Sequence, residues 1–238
     1  MSTTAHELPA RTDRFVGRGR ELRLLQEALR RSRLVTVTGP GGVGKTRMAL
    51  ELARRRARRS GEVLLIDLSA IGEESLVPTG FAISVGVVGA RADAMADVVR
   101  ALAESSALIV VDNCEHVIEA AASAVGSLLE GGPRLRVLAT SREPLRIQGE
   151  TVRLLGPLDP EEAIRLFLER AEAARAAAVT GDSGMVKEIC ARLEGIPLAL
   201  ELAAARIAVL SPQTLLSRLP GRLDLLSCDT RTGLARQH

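Results

Sequence analysis

"VTVTGPGGVGKTRMALELARR" (residues 35–55) decides how the rest of the chain is read. A run rich in β-branched residues enters four glycines and a lysine, and a helical pattern follows. Glycine inside an ordinary strand or helix costs roughly 0.5–1 kcal/mol per position, so something must offset placing flexible residues between a good strand and a good helix. Within the stretch, "GPGGVGKT" (39–46) matches G-x-x-x-x-G-K-[ST] in the setting that gives the pattern meaning, after a strand and before a helix. Glycines let successive backbone N–H groups turn inward around phosphate oxygens where Cβ atoms would obstruct. The helix N-terminus adds partial positive charge at the same point. On this reading Gly39, Gly41, Gly42, Val43 and Gly44 form a phosphate cradle, with Arg47 counted among its binding positions. Lys45 brings a full charge to the β- and γ-phosphates, and the Thr46 hydroxyl can ligate Mg²⁺.

Outward from this loop, apolar strand candidates alternate with helical patterns. Leu22, Leu25 and Leu29 recur at helical spacing between Arg18 and Arg31. "LVTVTG" (34–39) leads to a helix near 44–59, and "EVLLIDLS" (62–69) to helical stretches near 74–87 and 93–104. "ALIVVDN" (107–113) leads to a helix near 116–130, and "LRVLATS" (135–141) to a loop and then "TVRLLGPL" (151–158). Strands apolar on both faces and separated by helices predict an α/β fold, a parallel sheet covered on both sides. After Pro157 the pattern is helical only: Asp159 reads as an N-cap with Pro160 at the first helical position, and further helices are expected near 183–194, 197–210 and 212–219. The expected organisation is a flexible N-terminus (1–13), a P-loop nucleotide-binding domain (14–156) and a small all-helical subdomain (157–238).

Composition narrows the function classes. The 238 residues are 46% hydrophobic and 26% charged, as in soluble globular proteins, and long enough for a full core. No apolar run approaches the ~20 residues of a membrane span, and residues 1–14 lack a signal-peptide core, so the expected compartment is the cytoplasm. Cys114, Cys190 and Cys228 are in no metal-ligand spacing and read as small buried hydrophobes; His6, His116 and His238 are scattered. Net charge is +3, yet Lys45 and Lys187 are the only lysines, so the basicity reflects an arginine-rich composition more than a nucleic-acid partner. "ARRRARR" (53–59) accordingly reads as the solvated end of a helix. Without Trp or Tyr and with three Phe, a base-stacking platform is not expected.

Two further strand ends join the cradle. In "ALIVVDN" Asp112 stands at the C-terminal end of a buried strand, where its carboxylate can hold the Mg²⁺ shell. In "VLATSRE" (137–143) Arg142 follows a strand end and can reach the γ-phosphate. With these residues in place, the chain resembles the NB-ARC nucleotide-binding module of STAND-class signal-transduction ATPases, in its bacterial branch of LuxR-type and SARP-type regulators. "RFVGRGREL" (14–22) resembles the family's opening motif, which implies that Val16, Gly17 and Arg18 line the adenine and ribose side. "VVDNCEHV" and "TSREPLRIQGE" resemble its Walker B and sensor 1 segments, and "LEGIPLALELAA" its GLPL motif, which implies that Pro197 touches the adenine base.

The resemblance implies an ATP/ADP-binding switch that uses Mg²⁺, with nucleotide between the α/β domain and the helical subdomain. Lys45, Asp112, Glu115 and Arg142 are the catalytic candidates, and Thr46 and Asp112 the metal ligands. Gly19 stands where relatives often carry Glu, and Asn113 follows the Walker B aspartate where many strong ATPases place the acid that activates water, which leaves Glu115 as the nearest carboxylate. The expectation is slow ATP hydrolysis, a fragment monomeric with ADP, and a truncation before a winged-helix domain, with sensor repeats and a DNA-binding effector in the parent chain. Direct nucleic-acid or membrane binding by this fragment is not expected. The alternatives are an AAA+-like mechanical ATPase, with Arg142 and Arg146 as arginine-finger suspects, a phosphoryl-transfer enzyme, and a DNA-binding module.

Overall fold

The computed structural model describes residues 8–9, 13–59, 61–87, 93–174, 183–207 and 209–219. Expectations for residues 1–7 and 10–12, for the tail from 220 onward and for His6, Cys228 and His238 lie outside the described residues. Two compact units partition the chain: Met1–Phe15 with Gly19–Gly156, and Val16–Arg18 with Pro157–His238.

The first unit is built on five strands, β1 (Leu34–Thr38), β2 (Val63–Asp67), β3 (Leu108–Asp112), β4 (Arg136–Ser141) and β5 (Glu150–Leu154). They lie in the order β2-β3-β4-β1-β5, and every pairing is parallel. Successive residues of a strand point to opposite faces, so a continuous apolar run feeds two cores. Ile109 and Val111 of β3 pack into one, with Phe81 of α3 (Val77–Val85), Val98 of α4 (Ala94–Leu102) and Leu128 of α5 (Ile118–Gly131). Leu108 and Val110 face the other, with Leu25 of α1 (Gly19–Arg31) and Met48 and Leu52 of α2 (Lys45–Ala57). The fold is thus the α/β parallel sheet covered on both faces that the alternating pattern predicts. The outer strand β5 departs from the buried pattern, and Leu154 is 79% exposed there.

Two expected helices are divided. The stretch 74–87 is a 3₁₀ turn (Glu74–Leu76) followed by α3, with Pro78 near the start of the α-helix and Gly86 in a left-handed conformation at its end. The stretch 116–130 is preceded by a second 3₁₀ turn, Cys114–His116, and α5 begins two residues later than the sequence pattern places it.

The second unit contains α6 (Pro160–Ala173), α7 (Ser183–Arg192), α8 (Pro197–Arg206) and α9 (Pro212–Ser217). Leu166, Phe167, Ile189, Leu200, Ala204 and Leu215 form its core. The Asp159 side chain accepts from the Glu162 N–H at 2.8 Å, with Pro160 opening the helix. Val16 packs with this core, and the Arg18 N–H donates to Glu162 at 2.7 Å, so the opening motif is split from its neighbours.

At the top of β1 the chain leaves the sheet at Gly39. A Cβ there would stand 2.4 Å from the Leu155 carbonyl oxygen, just after the Leu155 N–H has bonded to Thr38 at 2.7 Å. A Cβ at Gly41 would meet only an Arg142 nitrogen at 3.8 Å, an ordinary contact. Gly39→Ala is therefore expected to cost about 1–3 kcal/mol through forced backbone displacement, and Gly41→Ala to stay within about 0.5 kcal/mol. Urea unfolding of the two variants beside the wild type checks this; equal losses would mean that strain at the strand end does not set the loop.

Candidate nucleotide-phosphate site

The loop after β1 is shaped by left-handed glycines, Gly42 at φ 74° and Gly44 at φ 98°. Gly44 is also the residue before α2, and no side chain caps that helix. Nor does its first turn hold an acidic residue. The contrast with α4 and α6 is instructive: Asp93 and Asp159 cap those helices, and Glu161 and Glu162 add charge to the first turn of α6. A missing cap costs typically about 1 kcal/mol. At α2 the amides and the positive end of the helix are left for an external anion.

Lys45 is buried, and its ammonium donates to the carbonyls of Gly39 at 2.9 Å and Pro40 at 3.2 Å. Burial lowers its pKa below the usual lysine value; the Glu115 carboxylate opposes that, the Arg142 guanidinium reinforces it, and Asp112 opposes it. These four groups therefore share one electrostatic neighbourhood. The lysine is not simply extended toward solvent: it folds back onto its own loop.

Asp112 ends β3 and is buried. Its Oδ1 accepts from the Thr46 hydroxyl at 2.9 Å and from the Thr140 hydroxyl, and its Oδ2 accepts from the Asn113 amide at 3.3 Å. Thr140 in turn accepts from the Asn113 backbone N–H at 3.1 Å. Burial raises the Asp112 pKa, while the hydrogen bonds from Thr140 and Thr46 act in the opposite direction, and Asp67, its register partner on β2, adds to the rise. Thr140 and Asp67 went unread in the sequence. The signal for Thr140 was present: it lies at the end of "VLATS", one strand over from Asp112.

Asn113 adopts φ 60°, and this left-handed residue starts the 3₁₀ turn that carries Glu115. One Glu115 oxygen lies 3.3 Å from Arg142 Nε; the other is buried with no hydrogen-bond partner. Arg142 itself is 65% exposed and reaches the edge of the loop at Gly41. Arg47 is turned elsewhere: it pairs with Asp13 at 2.6 Å and donates to the Arg14 carbonyl.

The structure thus gathers Gly39, Gly41, Gly42, Val43, Gly44, Lys45, Thr46, Asp112, Glu115 and Arg142 within the first unit. Val16, Gly17, Arg18 and Pro197 belong to the second. There Gly17 sits at φ 71° and Arg18 at φ 60°, with the Arg18 guanidinium donating to the Pro157 carbonyl at 3.4 Å. Pro197 opens α8 after the left-handed pair Glu194 and Gly195, where a Cβ on Gly195 would stand 2.5 Å from the Leu158 oxygen. Cys114 and Cys190 are both buried, which raises their thiols to about 12 and about 11.

An uncapped helix end, a lysine and a glycine cradle can hold phosphate; a carboxylate bonded to a threonine hydroxyl can hold a hydrated Mg²⁺ beside it. The residues present therefore fit a nucleotide with its divalent cation. Comparison with known proteins agrees. The AAA ATPase domain family matches residues 14–180, and the chain belongs to that family. The family implies nucleotide binding. A candidate HTH-type transcriptional regulator of Mycobacterium tuberculosis is 38% identical over 217 residues, 90% of this chain and 24% of that protein. An uncharacterized protein of the same organism is 38% identical over 218 residues, 90% of this chain and 56% of that protein. The chain thus spans between a quarter and about half of the length of these curated relatives. Among solved structures, a Walker-type ATPase of Pyrococcus abyssi superposes with a TM-score of 0.62 at 17% identity, covering 90% of this chain and 74% of that one. A STAND protein of Pyrococcus horikoshii with a tetratricopeptide repeat sensor gives 0.52 at 21% identity, covering 81% of this chain and 30% of that one. These likenesses are of fold. No helix among the described residues is long and apolar enough to cross a membrane.

The raised pKa of Asp112 has a stability consequence. Below the unfolded-state value, about 3.9, the carboxyl is protonated in both states and the native form carries no penalty. As pH rises through the higher native pKa the buried group must ionise, and stability is lost. Asp112→Asn removes that loss while its amide oxygen can still accept from Thr46. In EDTA without nucleotide, the variant is expected to gain thermal stability over wild type between pH 4 and pH 7. A difference independent of pH would show that burial of the charge is not what shifts Asp112.

Proposed function

We propose that this chain is the ATP/ADP-binding switch module of a STAND-type regulator of the NB-ARC kind, with slow Mg²⁺-dependent hydrolysis. The observation that carries the reading is the N-terminus of α2, which lacks both a side-chain cap and an acidic residue yet is followed by Lys45 and Thr46. A helix end so prepared suits a polyphosphate, and the bond from Thr46 to Asp112 supplies the oxygen pair that a Mg²⁺ shell requires.

In this reading the incoming phosphates replace the Gly39 and Pro40 carbonyls as partners of Lys45. Thr46 and Asp112 would hold Mg²⁺, which supplies charge neutralisation on the phosphate oxygens. Thr140 keeps the Asp112 carboxylate aimed at Thr46. Glu115 Oε2, buried without a partner, is the acceptor available to orient a water and take its proton. Arg142 is presented beside Gly41 and can stabilise charge on the terminal phosphate. Glu115 is however held in an ion pair with Arg142, so neither group is fully free for its role. That supports turnover well below the ~10 s⁻¹ of a median enzyme. A switch needs a nucleotide that binds two arrangements of the units with different affinity, and slow turnover lets each persist. The regulated output, transcription through an effector outside this chain, is part of the proposal. It rests on the kinship with a candidate transcriptional regulator.

Two measurements test it. Lys45→Ala is expected to weaken binding of a fluorescent ATP analogue at least tenfold, since a charge-assisted hydrogen bond contributes about 1.5–3 kcal/mol; unchanged affinity would remove the phosphate cradle from the account. In single-turnover hydrolysis with protein in excess, wild type is expected to be slow and Glu115→Gln slower by about 10²–10⁴-fold. Turnover of tens per second in the wild type would favour a mechanical ATPase instead.

A further inference from the structure

At the opposite end of the same strands lies a basic cavity that the nucleotide reading leaves unused. It has a volume of about 520 Å³, within the range of small-molecule sites. Five arginines line it: Arg55 and Arg56 from the C-terminal end of α2, Arg59 from the turn that follows it, Arg30 from the end of α1, and Arg136 from the start of β4. Its apolar floor is Leu29, Leu52 and Leu108, and among the described residues no acidic side chain lines it. The thirteen residues of α2 separate it from the phosphate loop by about 20 Å of helix.

A solvated helix end accounts for part of this. Arginines in the last turn complement the partial negative charge of helix carbonyls, and Arg55 is paired with Glu51 at 2.8 Å. Two features go beyond it. Arg30 and Arg136 come from different elements, so chain positions more than 100 residues apart converge on one space. In addition, Arg56 Nε is buried without a hydrogen-bond partner, beside Gly61, where a Cβ would stand 2.7 Å from the Arg56 side chain. Arg136 is anchored by bonds to the Leu29 carbonyl and, at 3.2 Å, to the Ser32 carbonyl, which fixes one wall. The Arg56 guanidinium donates through Nη2 to the Ser106 carbonyl at 3.4 Å, so it is held in place with one nitrogen unmet. With Arg55 paired to Glu51, the full positive charges of the other four side chains still outweigh the fractional negative ends of two helices.

We propose that this cavity binds a small organic phosphate, with the anionic group among Arg30, Arg56 and Arg59 and the apolar body on Leu29, Leu52 and Leu108. Guanidinium forks match the oxygen geometry of phosphate, and the leucine floor suits a ring or short hydrocarbon. Because the cavity and the phosphate loop sit at the two ends of α2, such a ligand touches the helix that begins at Lys45.

The test is calorimetric titration with phenyl phosphate and with inorganic phosphate. It uses Lys45→Ala protein, to remove competition from the loop, and the same protein carrying Arg30→Glu and Arg59→Glu. Both arginines are exposed, and thermal unfolding verifies that the variants fold; Arg59→Gln alone, or the wild-type background, serves where one does not. The expected result is phenyl phosphate binding tighter than inorganic phosphate, weakened more than tenfold by the charge reversals. No binding, or binding indifferent to the reversals, overturns the proposal. A 20-base-pair DNA duplex forms the third arm: duplex binding that the reversals abolish, without phenyl phosphate binding, would replace the small ligand by a nucleic-acid backbone.

Discussion

The buried Asp112 carboxylate is the point on which the arrangement of the site depends. One oxygen receives hydroxyls from α2 and from β4, through Thr46 and Thr140, while the other receives the Asn113 amide. Two elements distant in sequence, α2 and β4, are thereby tied to a single group at the end of β3. The tie has a cost, since burial raises the carboxyl pKa and the ionised form is held against desolvation. A group kept buried and charged in this way fits a cation site better than it fits a structural role, because threonine donors would be met as well by a neutral amide.

The same logic of incomplete satisfaction recurs around it. The N-terminus of α2 has no cap, Lys45 bonds to carbonyls of its own loop, and one Glu115 oxygen is buried without a partner. Each is a local departure from what a stable fold favours, and all lie in one electrostatic neighbourhood. By contrast α6, which has no such task, carries a full N-terminal signature of Asp159, Pro160, Glu161 and Glu162. Clustering of unmet polar groups at one end of a sheet is how a scaffold reveals a site before a ligand is seen in it.

Much of the scaffold was legible because its strands are apolar on both faces. "LVTVT", "ALIVVD" and "LRVLATS" each read as buried strands, and their alternating faces supply two separate cores. The glycine loop was legible because its spacing carries a mechanism. What escaped was set by single backbone dihedrals and by contacts between distant residues. The 3₁₀ turn at Cys114–His116 follows from Asn113 at φ 60°, and without it the direction of Glu115 cannot be inferred. Thr140 looks like any strand residue until β4 is laid beside β3. Arg47 follows Thr46 in sequence, yet Asp13 and the Arg14 carbonyl draw its side chain away. The division of the opening motif, with Phe15 in one core and Val16 in another, has no local signal either.

On the reading proposed above, charge balance would favour a persistent nucleotide state over rapid turnover. Lys45 and Arg142 bring two cations, and Asp112 and Glu115 two carboxylates, so the neighbourhood is close to neutral before any ligand arrives. A divalent cation and a polyphosphate would add charges of both signs, the cation held by Thr46 and Asp112. The terminal phosphate would then lie toward Glu115, whose carboxylate repels it, while Arg142, mostly exposed and already shared with Glu115, offers limited compensation. Losing that phosphate removes a negative charge from the position least able to hold one. A diphosphate would keep the contacts to Lys45, Thr46 and the helix end that the proposal gives it while shedding the repulsion. Under the proposed reading, such a preference for the product over the substrate would slow release and exchange, so that the nucleotide state would outlast the chemistry that set it. In a catalyst built for repeated turnover that would be a defect. In a module whose bound nucleotide is the signal, it is what allows the signal to be read.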